Sequence, residues 1–306
     1  MAKRVLALYY SQTGQLAKVM EQIVSPLAEE EGIELHVVPL HSTETFAFPW
    51  SFFRFFDLFP EAVYLDPPAN KSFEIPDPSA FDLILLGYQP WFLSPSLPMS
   101  AFLQSDQARI ILAGKPVITI IGCRNMWIEG QKTMHELIVS CKGRLIDNVV
   151  LNDQSGPLES FITTPRWMLT GKREPFWGLS AAGIDHKTIQ NSRRFGEAII
   201  AGLKRDRERQ NEPMLQGLGA VCADPRFIAS EKIGKRSFRI WGRWVRMFGR
   251  RGSWRRRPIL TVYVVFLILL IVSVVPINMA IQTIIRRLFK GKMDKIIKTI
   301  EAPSGR

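Results

Sequence analysis

The fold is decided by residues 3–15, which read Lys-Arg-Val-Leu-Ala-Leu-Tyr-Tyr and then Ser-Gln-Thr-Gly-Gln. The first eight residues form a short, mostly apolar run of the kind that becomes a buried strand. After the loop, apolar residues recur at the spacing of one helix face: Leu16, Val19, Met20, Ile23 and Leu27. The stretch therefore predicts a strand, a hydroxyl-rich loop and an amphipathic helix.

Four further apolar runs predict the rest of a sheet. They are residues 33–40, 81–88, 115–122 and 143–152. Helical patterns are found at 98–102, 131–141 and 185–203. Strands that alternate with helices in this way indicate an α/β domain whose five-stranded parallel sheet is covered on both faces. We assign this domain to residues 1–205.

Charge is distributed very unevenly along the 306 residues, whose formal net charge is +12. From Lys235 onward 17 Lys/Arg stand against 2 Asp/Glu, a net +15, whereas the first 234 residues carry 23 and 26, a net −3. A mildly acidic domain joined to a strongly basic segment points to nucleic acid or to an anionic membrane as the partner.

An uncharged segment, Ile259 to Ile285, favours the membrane over nucleic acid. As a helix its 27 residues reach about 40 Å, more than the ~30 Å hydrocarbon core of a bilayer. We predict a membrane-embedded segment at 258–285, either one helix or a re-entrant hairpin turned at Pro276. Basic segments flank it: 206–257, interleaved with aromatics, and 286–306. By the positive-inside rule the domain lies on the cytoplasmic side of the inner membrane.

Two connections, 42–73 and 153–183, are longer than usual and rich in aromatic residues, and long loops in such folds usually have a function. The first contains Phe46, Phe48, Trp50, Phe52, Phe53, Phe55, Phe56 and Phe59. Three interpretations remain open for it: a membrane-facing lid, an apolar substrate channel, or a packed insertion. The second adds Trp167, Phe176 and Trp177, with Arg166, Lys172 and Arg173 beside them. Those cations either meet a substrate carboxylate or form a solvated face.

Several classes of site have no support in the sequence. The three cysteines, Cys123, Cys141 and Cys222, form no CxxC pair, and the four histidines have no metal-ligand spacing, so we predict no metal. No Gly-x-Ser-x-Gly motif supports a hydrolase. Neither GxGxxG nor GxxxxGK[ST] is present, which weighs against dinucleotide and ATP loops.

The loop after the first strand is the best candidate binding site. In an open parallel sheet, ligands bind at the carboxyl ends of the strands, and a loop that opens a helix there presents free N–H groups and a positive dipole end to an anion. Ser11 and Thr13 add hydroxyl groups, and Gly14 allows a close backbone approach. The alternative is a turn that merely caps the helix.

These residues resemble the flavodoxin family, whose first loop follows Ser/Thr-x-Thr-Gly-x-Thr around the phosphate of FMN. Ser11, Gln12, Thr13, Gly14 and Gln15 match that pattern, while Leu16 stands where the family usually has Thr or Asn. Two more loops at strand ends resemble those that flank the flavin ring. The first is Gln89, Pro90, Trp91 and Phe92, and the second is Gly122, Cys123, Arg124, Asn125, Met126 and Trp127. The resemblance implies a flavodoxin-like fold with FMN held by these three loops.

Within that superfamily the chain resembles the dialkylresorcinol-condensing enzymes. The resemblance lies in Tyr9 to Leu16, in Phe48-Pro49-Trp50 and in Trp167 to Lys172. It implies that a partner ketosynthase makes an alkyl cyclohexanedione and that this protein oxidises the hydrophobic ring to a resorcinol. His41 and Tyr88 are candidates for the base. Two alternatives remain: a membrane-tethered electron carrier or quinone reductase, and a cofactor-free scaffold.

Overall fold

The structure is a computed structural model that describes residues 2–156, 159–288 and 290–305. Its strands are β1 Lys3–Tyr9, β2 Ile33–Pro39, β3 Leu83–Tyr88, β4 Pro90–Trp91, β5 Ser94–Pro95, β6 Pro116–Cys123 and β7 Arg144–Asn152. Its helices are α1 Gln15–Glu29, α2 Phe52–Phe56, α3 Phe59–Tyr64, α4 Leu97–Leu103, α5 Asp106–Leu112, α6 Ile128–Ser140, α7 Ser160–Thr170, α8 His186–Asn191, α9 Arg193–Leu203, α10 Arg207–Gln210, α11 Pro225–Met247, α12 Arg257–Leu288 and α13 Lys290–Glu301.

The main sheet has the strand order β2-β1-β3-β6-β7, and all its pairs are parallel. The two-residue strands β4 and β5 form a separate antiparallel ladder. With that ladder set aside, the order is the one of flavodoxin-like doubly wound sheets, in which the chain changes direction beside β1. The predicted α/β fold is thus confirmed, and the carboxyl ends of β1, β3 and β6 meet at one edge.

Apolar side chains cover both faces of the sheet. On one face α1 and α9 pack over residues such as Val5 and Ile118, and on the other α4, α5 and α6 pack over Leu6 and Ile121. The predicted helix after Asp185 is interrupted at Ser192, which separates α8 from α9. Residues beyond 205 join the same core, since Leu215 and Ala220 are buried there.

The apolar segment forms one continuous helix, α12, which runs through Pro276 without a turn. The re-entrant hairpin is therefore not the conformation found. By length and composition, residues Trp254–Asn278 suit a membrane crossing. This helix nevertheless packs along the domain, antiparallel to α11, because Tyr263 contacts Phe238 while Asn278 Nδ2 donates to Ser230 Oγ.

Both flanks of α12 are attached to the domain. Just before it, the buried Arg256 pairs with Asp57 and Glu61, at N–O distances of 3.2 and 2.8 Å. Beyond it, Ser304 Oγ donates to Asp147 Oδ1 and accepts from the backbone N–H of Asn148. The helix is therefore a surface layer of the domain and does not project away from it.

Candidate functional site

The loop between β1 and α1 presents unpaired backbone donors. Ser11 Oγ accepts from the N–H of Ala17 at 3.1 Å, and Thr13 Oγ1 accepts from the N–H of Gln15 at 3.4 Å. Gly14 adopts φ +79°, which glycine reaches without the steric cost of a side chain. Within the described residues, the N–H groups of Thr13, Gly14 and Leu16 have no protein acceptor. At the N-terminus of the 15-residue α1, such donors suit an anion.

The two glutamine side chains of this loop contact other protein segments. Gln12 Nε2 donates to the carbonyl of Phe46 at 2.7 Å, and the Gln12 N–H donates to Gln89 Oε1 at 3.1 Å. Gln15 exchanges two hydrogen bonds with the backbone of Ile184, at 2.9 and 3.0 Å. The Gln12 amide therefore ties the first loop to the connection 42–73, and the Gln12 N–H ties it to the loop after β3. The Gln15 amide ties it to Ile184, just past the second connection, and the other backbone donors of the loop are left to face a ligand.

A cavity of about 420 Å³ begins at this loop and extends to α12. At one end its wall contains Gln12, Thr13, Gln15 and Leu16. Its middle is lined from the loops after β3 and β6 and from α7, and its far end by residues of α11 and α12: Phe227, Ser230, Ile233, Gly234, Ser237, Phe238, Leu267, Leu270, Ile271, Val274 and Asn278. The cavity thus joins the predicted phosphate loop to the apolar helix.

Most residues of the two predicted ring loops border this cavity. The lining includes Gln89, Pro90, Trp91, Phe92, Gly122, Cys123, Arg124 and Met126. Asn125 and Trp127 lie outside it, and so do Ser11 and Gly14, which flank its entrance. The Trp127 side chain is 1% exposed because it packs in the core beneath the sheet edge, among the residues around Tyr88. It is therefore not placed to contact a ring in the cavity.

The hairpin after β3 aims an aromatic side chain at the cavity. Phe92 and Leu93 both have positive φ, +48° and +59°, a conformation that is uncommon for residues with a side chain. Such backbone is found where the surrounding structure over-determines it, often at functional sites. Trp91, beside Phe92, is held edge-on by the rings of Tyr10, Phe46 and Trp50, with centroids 5.2 to 5.8 Å apart.

Two charged side chains line the described part of the cavity, Arg124 and Asp153. The Arg124 guanidinium lies 3.9 Å from the centroid of the Phe161 ring. Burial lowers its pKa to about 10, against the opposing attraction of Asp153. Asp153 is occupied by donors, among them the N–H of Gly183 at 2.8 Å. Arg124 makes no ion pair among the described residues, so its charge is available to an anionic or enolic oxygen in the cavity.

Two buried charges of α11 hold the ring loops in place. Lys235 Nζ donates to the carbonyl of Leu93 and to Ser94 Oγ, each at 2.7 Å. Glu231 Oε2 accepts from the N–H of Glu129 at 2.9 Å, at the start of α6. Burial raises the pKa of Glu231 to about 8 and lowers that of Lys235 to about 8. Sequence reasoning missed both residues; one signal was an isolated acid within an otherwise basic helix.

The aromatic connection 42–73 is in part a packed insertion and in part a wall of the cavity, while the membrane-facing lid stays a prediction. Phe46 and Trp50 are packed against Trp91, and Phe59 stacks on Tyr263 of α12 at 4.3 Å between centroids. Phe55 and Phe56 line the cavity. Phe52 and Phe53 are each 42% exposed, on the same side as the start of α12, where Arg257 lies 5.7 Å from the Phe53 ring.

The connection 153–183 closes another side of the cavity through α7, whose Trp167, Met168 and Leu169 line it. Its cations hold the loop itself. Arg166 Nη1 donates to the carbonyls of Lys172 and Glu174, and Arg173 donates to those of Ala182 and Ile184. Trp177 is exposed to solvent. The guanidinium groups are engaged by backbone carbonyls, so they do not favour the substrate-carboxylate interpretation.

The two candidate bases lie away from the cavity wall. His41 is exposed on the outer side of the first connection. Tyr88 is fully buried, and its hydroxyl donates to Gln131 Oε1 at 2.8 Å in a network that continues to Thr119 and Asn148. Burial raises its pKa well above the ordinary value. Neither residue borders the cavity, so neither is placed to take a proton from a substrate there.

Comparison with known proteins gives similarity to solved structures alone. No protein-family model matches the chain, and no curated protein matches it. A flavoprotein in complex with FMN from Lactobacillus acidophilus is 21% identical, with a TM-score of 0.39 over 49% of this chain and 93% of that one. Flavodoxin 1 from Bacillus cereus is 13% identical, with a TM-score of 0.37 over 65% and 98%. A Fusobacterium nucleatum flavodoxin bound to flavin mononucleotide is 12% identical, with a TM-score of 0.34 over 66% and 98%.

Proposed function

We propose that this protein is an FMN-dependent oxidoreductase that acts on a hydrophobic small molecule at a membrane surface. The observation that carries the proposal is the single cavity that begins at the unpaired donors of residues 13–16 and ends against α12. A cofactor with an anionic end and an apolar substrate would occupy the same cavity because they must meet in order to react. Few other arrangements need both a phosphate-type loop and an apolar lining.

The residues present fit FMN. The N–H groups of Thr13, Gly14 and Leu16 would hold the phosphate, with Ser11 and Thr13 shaping the loop. The ring would lie between the hairpin of Trp91 and Phe92 and the loop 122–124, all of which line the cavity. When bound, FMN supplies an acceptor for two electrons and a proton, taken from the substrate as hydride. Leu16 in place of a hydroxyl residue removes one phosphate contact.

The chain itself would exclude water and orient the substrate. The aromatic and aliphatic lining of α7, α11 and α12 desolvates the reacting ring. Arg124 makes no ion pair among the described residues. Its guanidinium would stabilise the negative charge that develops on the enol oxygen of a dione substrate when that enol loses its proton. At the narrower level we propose oxidation of an alkyl cyclohexanedione, supplied by a ketosynthase, to a resorcinol; the substrate loses one hydride and one proton.

We further propose that the domain sits on the cytoplasmic face of the inner membrane. An uncharged outward face on α12 and the net +15 of the last 72 residues support this placement, since anionic lipids attract such segments. We also propose that residues 206–257 and 286–306 are separate basic segments on either side of the apolar segment 258–285.

The cofactor is tested with Gly14→Asp. A carboxylate at this position would lie beside the phosphate, and like charges about 4 Å apart repel by roughly 1 to 4 kcal/mol, so FMN affinity should fall by about tenfold or more. Affinity is measured by titrating full-length, detergent-purified protein with FMN and following flavin fluorescence. Gly32→Asp is the matched control, because Gly32 also has a positive φ and open space around it but lies away from the cavity.

The outcome of that titration separates the alternatives. Wild-type protein that stays colourless with excess FMN would favour a scaffold and end the proposal. Protein that binds FMN and reduces quinones with NAD(P)H, yet leaves alkyl cyclohexanediones unchanged, would favour the quinone reductase. Oxidation of the dione to the resorcinol by wild-type protein supports the narrower proposal, provided that Gly14→Asp loses both FMN binding and this oxidation.

A further inference from the structure

A seam between α11 and α12 bounds the cavity on one side. Ile233 and Ser237 of α11 and Leu270 of α12 line the cavity on their inner side. The same three residues line a second, outer pocket of about 390 Å³, together with Arg236, Ile240, Trp241 and Phe266. These three side chains therefore form the seam, a wall shared by the apolar cavity and the outer pocket.

The outer pocket lies beside an apolar surface. Along α12 the outward residues are Val262, Val265, Ile268, Leu269, Val272 and Ile277, each exposed by at least 53%. Of the hydroxyl residues whose side chains the structure describes on that side, Thr261 and Ser273 donate to carbonyls four residues earlier in the same helix. No charged residue stands between Ile259 and Ile285. Hydrocarbon can therefore surround the described part of this face without leaving one of these hydroxyl groups unsatisfied.

The path of the chain places this face parallel to a membrane. A 32-residue helix is about 48 Å long. The 16 residues from position 289 to Ser304, mostly the helix α13, cover only roughly 30 Å. Since Ser304 is bonded to β7 and Arg256 to α2–α3 residues, α12 cannot cross a bilayer while these contacts persist. It lies along the domain, with its apolar face outward into one leaflet.

Charged and aromatic side chains border that face at the level expected of headgroups. Trp244, Phe248 and Trp254 are about half exposed or more, and Arg236 lies at the rim of the outer pocket. Aromatic and cationic residues at the edge of an apolar face are typical of helices in the interfacial plane. The occupant of this surface is therefore one leaflet of an anionic bilayer.

We propose that the substrate, a single-chain amphiphile with a ring head, enters the cavity directly from this leaflet through the seam formed by Ile233, Ser237 and Leu270. The proposal rests on the function proposed above and adds the route. The ring travels inward to the loops after β3 and β6, while the alkyl chain remains between α11 and α12. A molecule of this kind is far more concentrated in the leaflet than in water, so a lateral entrance avoids the cost of its hydration.

The test uses full-length protein on phosphatidylglycerol–phosphatidylethanolamine vesicles that contain an alkylresorcinol with a diazirine attached to its ring. After photolysis, mass spectrometry of peptides distinguishes label on the interior residues Phe92, Phe161 and Met168 from label on the outer face of α12. In Ser237→Trp the indole blocks the seam, and we expect interior label to be lost while outer label is retained. Lys232→Trp, exposed on the same helix, is the control and should label as wild type.

Leu270→Ala widens the seam and should raise the rate of interior labelling. Interior label at the wild-type rate in folded Ser237→Trp would overturn the proposal; if that variant fails to fold, an unchanged rate in Leu270→Ala would do so. FMN content is measured on the same samples. Because labelling is read without flavin chemistry, protein that labels inside through the seam but binds no FMN would refute the proposed function and leave the entrance intact.

Discussion

At the scale of single residues, the site depends on two buried charges that lie outside the cavity lining. Glu231 and Lys235 are one helical turn apart on α11, and each forms a hydrogen bond with the backbone of a different segment at the sheet edge. Glu231 caps α6, and Lys235 fixes the strained hairpin of Phe92 and Leu93. The position of α11 is thereby coupled to the geometry of the ring loops.

Replacing Glu231 by Gln should change how stability depends on pH. The folded-state pKa of Glu231 is raised to about 8 from 4.5, so its contribution is present at low pH and is lost as pH rises from about 4.5 to 8. Glutamine does not titrate and still accepts from the N–H of Glu129. The melting temperature of Glu231→Gln relative to wild type should therefore increase between pH 5 and 8, measured by thermal unfolding in detergent.

Glu21→Gln, at an exposed position on α1, is the control. Its melting temperature relative to wild type should not change over the same pH range. A flat difference for Glu231→Gln as well would mean that Glu231 is not held as described. Lys235 affects stability over a different pH range. Because its pKa is lowered from 10.5 to about 8 in the folded state, its effect on the free energy of unfolding is a rise between about pH 8 and 10.5.

Replacing Arg256 by Ala should strongly destabilise the domain. The change leaves the carboxylates of Asp57 and Glu61 buried without their cation, which costs about 3 to 5 kcal/mol. Chemical denaturation followed by tryptophan fluorescence measures the loss. Arg255→Ala is the matched control, since Arg255 is exposed beside it and should change stability by about 0.5 kcal/mol or less. Equal losses in the two variants would contradict a structural ion pair.

Local sequence could predict the donor arrangement of the first loop because that arrangement depends only on neighbours in the chain, and its role in holding FMN stays a prediction. Ser11, Thr13 and Gly14 lie between a strand and a helix, and the donors they frame belong to the same turn. The engagement of Gln12 and Gln15 was not predictable in this way. Their partners, Phe46 and Ile184, are 34 and 169 residues away, and no local period encodes such contacts.

At the scale of elements, apolar runs located every strand of the main sheet to within two residues at either end. The start of α6 was placed late, at Gln131 instead of Ile128, because its first turn is capped by Glu231 from another helix. Apolar periodicity reports the face of a helix that is buried and carries little information on a cap supplied from a distance. The same limit applies to α12, whose uncharged sequence fits a span but whose contacts place it along the domain.

A carboxylate on the outward face of α12 should weaken membrane binding without unfolding the protein. In Leu269→Glu the change falls on a side chain that is 63% exposed, so the melting temperature in detergent should stay near that of wild type. Transfer of the charge into lipid costs about 2 kcal/mol or more, so the fraction that sediments with vesicles should fall.

The control for Leu269→Glu is Ile110→Glu, a 56% exposed position on α5 that lies outside the basic segment. It should sediment as wild type. Equal binding of the Leu269→Glu variant would mean that α12 does not enter the lipid.

At the scale of the whole molecule, the chain separates charge by function, with an acidic domain that carries the cavity and a basic segment that covers its open side. If the protein binds a membrane as proposed, lipid attraction and substrate access would act on the same face. This division was visible in the sequence, because net charge needs no knowledge of contacts. The proposed route from the leaflet to the cavity was not visible there, since it depends on how α11 and α12 pack.

Binding to vesicles should depend on lipid charge and, in part, on salt. Each Lys or Arg near an anionic surface contributes about 1 kcal/mol, so phosphatidylglycerol vesicles should bind the protein more tightly than neutral phosphatidylcholine. Raising salt should weaken but not abolish binding, because screening leaves apolar contacts unaffected. Co-sedimentation over a salt series measures both effects. Binding that is identical on neutral and anionic vesicles would refute the role of the basic segment.

The contact between Ser304 and β7 has a practical consequence for anyone who shortens the polypeptide to make it easier to handle. β7 is a border strand of the main sheet, and Ser304 occupies the outward N–H of Asn148 there. A truncation before residue 257 would remove α12 and would also uncover the N–H of Asn148, although Ala220 still accepts from Val150 on the same edge. The truncated protein would then be more prone to self-association through this strand edge. Such self-association is easily mistaken for remaining lipid binding.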